Sequence, residues 1–287
     1  MPAAFARTLL LALLAWALAL PAFAQSGTLA KIKREGAITL GYVDGAAPFS
    51  YADGNAQPQG YSVDLCRAVA EGVGKQLGIG AMKTNWVKLT VQDRLEAVRA
   101  KRVDLECSTT TWTLSRQASV DFSLVTFVDG ASILTLAGAD TARIGDFNGK
   151  RIAALSGTTT DKVLRETLAR RLVKAEVVNV ATRDEGLRML EQGQVHGLAS
   201  DRTTLIGVVL TSQVRGRFKL IDEDFSVEPY ALTLARDDHD FRLAVNRVLA
   251  GLYRGGGIRP IYDRWLGPLG TPSLLLNATY FIQSLAE

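Results

Sequence analysis

Three short segments bring together residue types that could hold a small charged solute. The first is Ser108-Thr109-Thr110-Thr111-Trp112-Thr113-Leu114-Ser115-Arg116. Arg116 offers a guanidinium, which grips a carboxylate through two parallel hydrogen bonds. The hydroxyls of Thr109 and Thr111 can satisfy what remains. A threonine-rich turn with a surface arginine is the competing reading. The second segment is Ser156-Gly157-Thr158-Thr159-Thr160, ahead of a helical run. A helix start has free N–H groups and the positive end of the dipole, so it suits an anion. Ordinary N-capping by threonine is the alternative. The segment lacks the Gly-Lys-Ser/Thr ending of a phosphate loop. The third is Asp201, between a strand and a helix, where a carboxylate could receive an ammonium group or simply cap the helix. A cation, a hydroxyl-rich turn and an anion match the two charges of a zwitterion.

The elements around these segments alternate between strand and helix, the pattern of α/β lobes with largely parallel sheets. Strands are expected over 37–43, 83–89, 103–107, 151–155, 176–180, 196–200, 218–221 and 229–235. Helices are expected over 61–77, to Leu172 after Thr160, over 183–192, from Asp201, around 241–252 and over 258–266. An apolar stretch from Val120 to Ala137 is interrupted by Asp129-Gly130. The tail after Leu266 has no clear placement. Each of the three segments follows a strand, and solute sites in open α/β sheets lie beyond the carboxyl ends of strands.

The first residues point to export. Arg7 precedes an apolar run from Thr8 to Leu20, followed by Pro21 and the small-residue pattern Ala22-Phe23-Ala24 before Gln25. This reads as a signal peptide over residues 1–24, cleaved after Ala24 and too short for a membrane-spanning helix. No cysteine stands at the cleavage point, so a soluble periplasmic protein is expected. The 287 residues, less that leader of 24, suffice for two compact lobes. The net charge of +4 is scattered, without a sustained basic block, which argues against nucleic acid as a partner. The two cysteines are Cys66, on a helical apolar face, and Cys107, at the end of an alternating strand. Both point toward a core, and a disulfide or two buried thiols remain open. Zinc is not expected, because no further ligands have suitable spacing. No GxSxG or HExxH motif is present, and His196 and His239 read as structural or solvated.

Together the segments resemble the family 3 extracellular solute-binding proteins, the periplasmic receptors of polar amino acid ABC transporters. Gly60-Tyr61-Ser62-Val63-Asp64-Leu65 and Ile261-Tyr262-Asp263-Arg264-Trp265-Leu266-Gly267 look like family landmarks. Phe49-Ser50-Tyr51, Gln92-Asp93-Arg94, Leu105-Glu106-Cys107 and Ser156-Gly157-Thr158-Thr159 look like the glutamate/aspartate-binding branch. Asp64-Leu65-Cys66-Arg67-Ala68-Val69-Ala70 and Thr110-Thr111-Trp112-Thr113-Leu114-Ser115-Arg116 look like the general L-amino-acid-binding branch.

The resemblance implies a two-lobed α/β binding-protein fold of type II, closing over its ligand about two hinge strands near 126–130 and 226–230. Lobe one would comprise 25–127 and 229–287, and lobe two 128–228. It implies that Arg116 grips the α-carboxylate, with Thr109 and Thr111 as hydroxyl or backbone ligands. Thr158 and Thr159 would cap the carboxylate from lobe two, Asp201 would take the ammonium, and Arg94 would meet a side-chain carboxylate. Val43 stands where glutamate/aspartate binders carry a basic residue, Val91 where they carry a hydroxyl, and Arg183 near a lobe-two histidine position. One pocket wall is therefore less basic, and broad specificity is an alternative to acidic amino acids. The implied partners are a free amino acid and an ABC permease, with no cofactor and the protein a monomer. Two other readings are a dehydratase-type enzyme on the same fold and a receptor serving a separate membrane sensor.

Overall fold

The computed structural model describes residues 27–211 and 216–286, so the leader expected over 1–24 lies outside the described residues. The first part runs α1 (Thr28–Glu35), β1 (Ala37–Val43), β2 (Tyr51–Ala52), β3 (Pro58–Gln59), α2 (Tyr61–Gln76), β4 (Lys83–Leu89), α3 (Arg94–Arg99), β5 (Leu105–Glu106), α4 (Leu114–Gln117) and β6 (Asp121–Asp129). There follow β7 (Ala131–Leu136), β8 (Arg151–Leu155), α5 (Thr159–Arg170), β9 (Glu176–Val180), α6 (Arg183–Glu191), β10 (Gly197–Asp201), α7 (Arg202–Thr211) and β11 (Phe218–Leu220). The chain then returns through β12 (Glu228–Leu234), α8 (His239–Arg254), α9 (Ile258–Trp265) and α10 (Leu274–Ile282).

Among the described residues ten strands form two five-stranded mixed sheets, ordered β4-β1-β5-β12-β6 and β11-β7-β10-β8-β9, and β2 pairs with β3 in a small antiparallel ribbon. In the first, β1 is parallel to β4 and β5, while β12 runs antiparallel to β5 and β6. In the second, β8 is parallel to β9 and β10, and β7 is antiparallel to β10 and β11. The chain passes between the sheets at Gly130 and again before Glu228, and Glu228 and Asp129 face each other in the β12–β6 register.

The inner strands of each sheet are buried on both faces, which is why β1, β8, β10 and β12 are rich in apolar residues, whereas the edge strands β4 and β9 keep exposed polar ones. Leu40, Leu65, Leu105, Leu232 and Phe241 share the large core between the first sheet and α2, α8 and α9. Val43, Leu89, Val98 and Phe122 form the core on its other face. Cys66 and Cys107 are joined in a disulfide, tying α2 to the end of β5. A cross-link closing a loop of this length contributes roughly 3–4 kcal/mol by restricting the unfolded chain.

The strand expected over 103–107 is formally only Leu105–Glu106, yet Asp104 N–H and Cys107 N–H still donate to Thr39 and Gly41 carbonyls at 2.8 Å. Asp201 closes β10 rather than opening a helix, paired with Ala131. The unplaced tail forms α10, which protects the edge strand β6. There Val125 N–H donates to the Gln283 side chain at 2.7 Å, and Tyr61 and Tyr280 hydroxyls donate to Thr126 O at 2.8 and 3.0 Å. These side chains occupy edge groups that would otherwise be open to pairing with another strand.

Candidate functional site

Where strand ends of the two sheets meet, three arginines converge. Arg94 opens α3 and is only 4% exposed, and its Nε has no hydrogen-bond partner. Burial lowers its pKa to about 10, the nearby Arg116 and Arg183 push the same way, and Glu106 opposes them. Arg116 lies in α4, positioned by the Thr113 cap, and its Nη1 donates to Thr111 O at 2.9 Å. Burial lowers its pKa too, against the carboxylates of Glu228, Glu106 and Asp201. Arg183 opens α6 after the Thr182 cap and is buried, with Nε donating to Ser200 Oγ at 3.0 Å and Nη1 reaching Gly45 O at 3.5 Å. Among the described residues none of the three has a carboxylate within ion-pair distance, although leaving a buried guanidinium such as Arg94 or Arg183 without one is costly. Such groups make this a candidate anion site.

The hydroxyls and acids surround these cations. Thr111 Oγ1 lies 3.1 Å from Thr159 Oγ1, a direct contact between the two sheet units. Thr160 Oγ1 donates to Asp201 at 2.9 Å, so the third segment meets the second. Thr109 is buried, and its hydroxyl makes no hydrogen bond among the described residues. Thr158 is the N-cap of α5: its hydroxyl donates to Leu155 O and accepts from Asp161 N. That side chain is already occupied, so what the segment can offer an anion is the first-turn N–H groups. Asp201 does not cap α7. Thr203 N–H and its hydroxyl donate instead to Asp129, at 3.2 and 3.0 Å.

Val43 and Val91 line a neighbouring cavity of about 380 Å³ between the sheets, together with Gln92, Leu155, Thr182 and Arg183. Val43 is buried against the core behind it. The Val43 and Val91 side of the cavity is apolar, and its cations are Arg183 and Lys88, the latter paired with Asp44 at 2.6 Å.

Three acids had no site role from the sequence. Glu228 is buried and accepts from Thr111 and Thr159 hydroxyls, each at 2.7 Å, and from Ser226 at 2.6 Å. Its signal was an acid at the head of an apolar strand, Glu228-Pro229-Tyr230. Asp129 is held by Gly130 and Thr203 N–H groups, and Tyr230 OH donates to it at 3.3 Å. Glu106 is fully buried, and neither oxygen has a hydrogen-bond partner, although the Thr110 and Thr233 hydroxyls lie beside it. Burial raises its pKa, with Arg94 the largest opposing influence. Strand alternation sets Glu106 on the face opposite Leu105; only the packing of α3 reveals that this face is covered.

The profile of the bacterial extracellular solute-binding proteins, family 3, matches residues 38–268. The L-glutamate/L-aspartate-binding protein of Pseudomonas aeruginosa is 32% identical over 254 residues, covering 88% of this chain and 84% of its own. The glutamate/aspartate import solute-binding protein of Escherichia coli is 27% identical over 255 residues, again 88% and 84% of the two chains. An ancestral arginine-binding protein bound to arginine superposes with a TM-score of 0.73 at 23% identity, over 81% of this chain and 99% of that one, a likeness of fold. The arginine, threonine and aspartate segments at the strand ends thus sit on the scaffold that their resemblance implied, and the chain belongs to the bacterial extracellular solute-binding proteins, family 3.

Proposed function

We propose that this protein is an exported receptor that captures a free acidic or polar L-amino acid and delivers it to an ABC permease. One observation carries the reading. Arg94, Arg116 and Arg183 lack ion-pair partners among the described residues, Arg116 and Arg183 each lie within electrostatic range of Arg94, and Asp201 is close to both Arg94 and Arg116. Arg116 is the seat for the α-carboxylate, Asp201 for the ammonium, and Arg94, with Arg183, for a side-chain carboxylate. The names of the Pseudomonas and Escherichia relatives support an acidic ligand. The apolar wall of Val43 and Val91 supports a broader range of side chains as the second reading.

In this reading residues 25–127 and 229–287 make one lobe and 128–228 the other. The passages near 126–130 and 226–230 act as hinges, and closure is a rigid-body motion about them. The leader is removed after Ala24, and the mature protein works in the periplasm as a monomer. It binds rather than transforms its ligand; turnover of prephenate would overrule that. The test is a thermal-shift screen of the mature protein against the free amino acids. A ligand at a hundred times its Kd stabilises the native state by about 2.7 kcal/mol. L-Glutamate or L-aspartate should raise the midpoint most, and a flat response across all amino acids would end the reading.

A further inference from the structure

Glu228 decides how the threonine pair can meet a ligand. A threonine hydroxyl has one proton to donate and lone pairs to accept with, whereas a carboxylate only accepts. Thr111 Oγ1 and Thr159 Oγ1 each donate to the same atom, Glu228 Oε2, at 2.7 Å. The other carboxylate oxygen takes the Ser226 hydroxyl at 2.6 Å. Both threonine protons are therefore committed. The two threonine oxygens nevertheless lie 3.1 Å apart, with no proton left to place between them. A pair of lone-pair-bearing oxygens at that spacing is satisfied by a group that only donates, and an ammonium is such a group.

The arrangement is firmly held. Thr111 is bridged to Tyr230, Trp112 N–H donates to Pro229 O at 2.7 Å, and Ala231 N–H donates to Thr110 O at 3.2 Å. The carbonyl of Thr111 receives Arg116 Nη1, so the carboxylate seat adjoins the acceptor pair. Glu228 itself is 1% exposed and receives three hydroxyl protons, so it acts through the threonines and not by touching the ligand.

We propose that Glu228 is a positioning residue that turns the Thr111–Thr159 pair into an acceptor-only seat, making the site select an acid that carries an amino group over the same acid without one. This rests on the amino acid reading given above. The test compares L-glutamate with glutarate, the same dicarboxylic acid lacking the ammonium, by competition calorimetry on mature wild-type protein, Glu228→Met and Glu228→Gln. Methionine frees both threonine protons. Glutamine can keep a carbonyl oxygen toward them while its NH₂ faces Ser226.

A charge-assisted hydrogen bond contributes enough that Glu228→Met should weaken L-glutamate by about 10–100-fold. Glutarate should stay within about threefold or bind better, and Glu228→Gln should retain most of the preference. Parallel losses for both ligands, or no loss for either, overturn the role of Glu228. If Glu228→Met lacks a cooperative melt, Thr159→Val at its half-buried position carries the same expectation and the same overturning results. Wild-type protein that binds no free amino acid overturns the amino acid reading itself, a result visible before any variant is made. Should the thermal screen select another amino acid, it and its deaminated acid replace the pair.

Discussion

Arg94 is a buried guanidinium whose Nε lacks a partner, and Asp129 is its acidic counterpart in the same region. Asp129 titrates at about 7 instead of 3.8, first because burial penalises its charge and then because Asp201 lies beside it. Tyr230, Thr203 and, across the β6–β12 pair, Glu228 also face it. Unfolded chains lose this proton near 3.8, while the folded protein keeps it to about 7. Between those values the native state binds the extra proton, so stability falls as pH rises and levels off above the window. Asp129→Asn should remove that contribution, so denaturant midpoints at about pH 4 and about pH 7.5 should differ less than in the wild type. A wild-type slope in the variant would assign the pH dependence to other groups. At this scale the site was legible wherever a charge followed a strand, as for Arg116 and Asp201. Glu228, Asp129 and Glu106 were not, because each is defined by what packs over it from a distant part of the chain. Thr158 shows the converse: its type suited a ligand, and local capping occupies it.

Helix α7 meets the loop after β1 at Gly207. A Cβ there would overlap the carbonyl oxygen of Ala47 and press on Pro48. Alanine is worth about 0.5–1 kcal/mol over glycine inside a helix, so Gly207→Ala should not weaken α7 itself. It should instead disfavour the close approach of the two sheet units. Under the proposed closure, affinity for the amino acid should fall by about tenfold or more, because a smaller closed fraction lowers apparent affinity in proportion. The ligand-free melting midpoint should hold or rise. Unchanged affinity would show that this contact does not gate binding. The elements themselves were largely readable. β1, β4, β8 and β9 agree with the strands expected at 37–43, 83–89, 151–155 and 176–180. β5 proved shorter, since only two of its residues keep register with a neighbouring strand on either side. α10 escaped because its role is set by β6, more than a hundred residues earlier: Gln283 and Tyr280 fit the exposed groups of Val125 and Thr126.

For the whole molecule, two sheets joined at Gly130 and again before Glu228 bring strand ends from both units to one place. A ligand that bridges them favours the closed arrangement only through interactions it makes with both units. A zwitterion with a second carboxylate can do so, with Arg116 and Arg94 on one side and Asp201, Arg183 and the start of α5 on the other. Family membership supplies the scaffold, and arginines without an ion-pair partner among the described residues support the proposed acidic ligand. The most direct test is calorimetric titration of L-glutamate into the mature protein and into Arg116→Ala. Single-site binding in the wild type and no detectable binding in the variant is the expected result. Near-normal affinity in Arg116→Ala would contradict the assigned site.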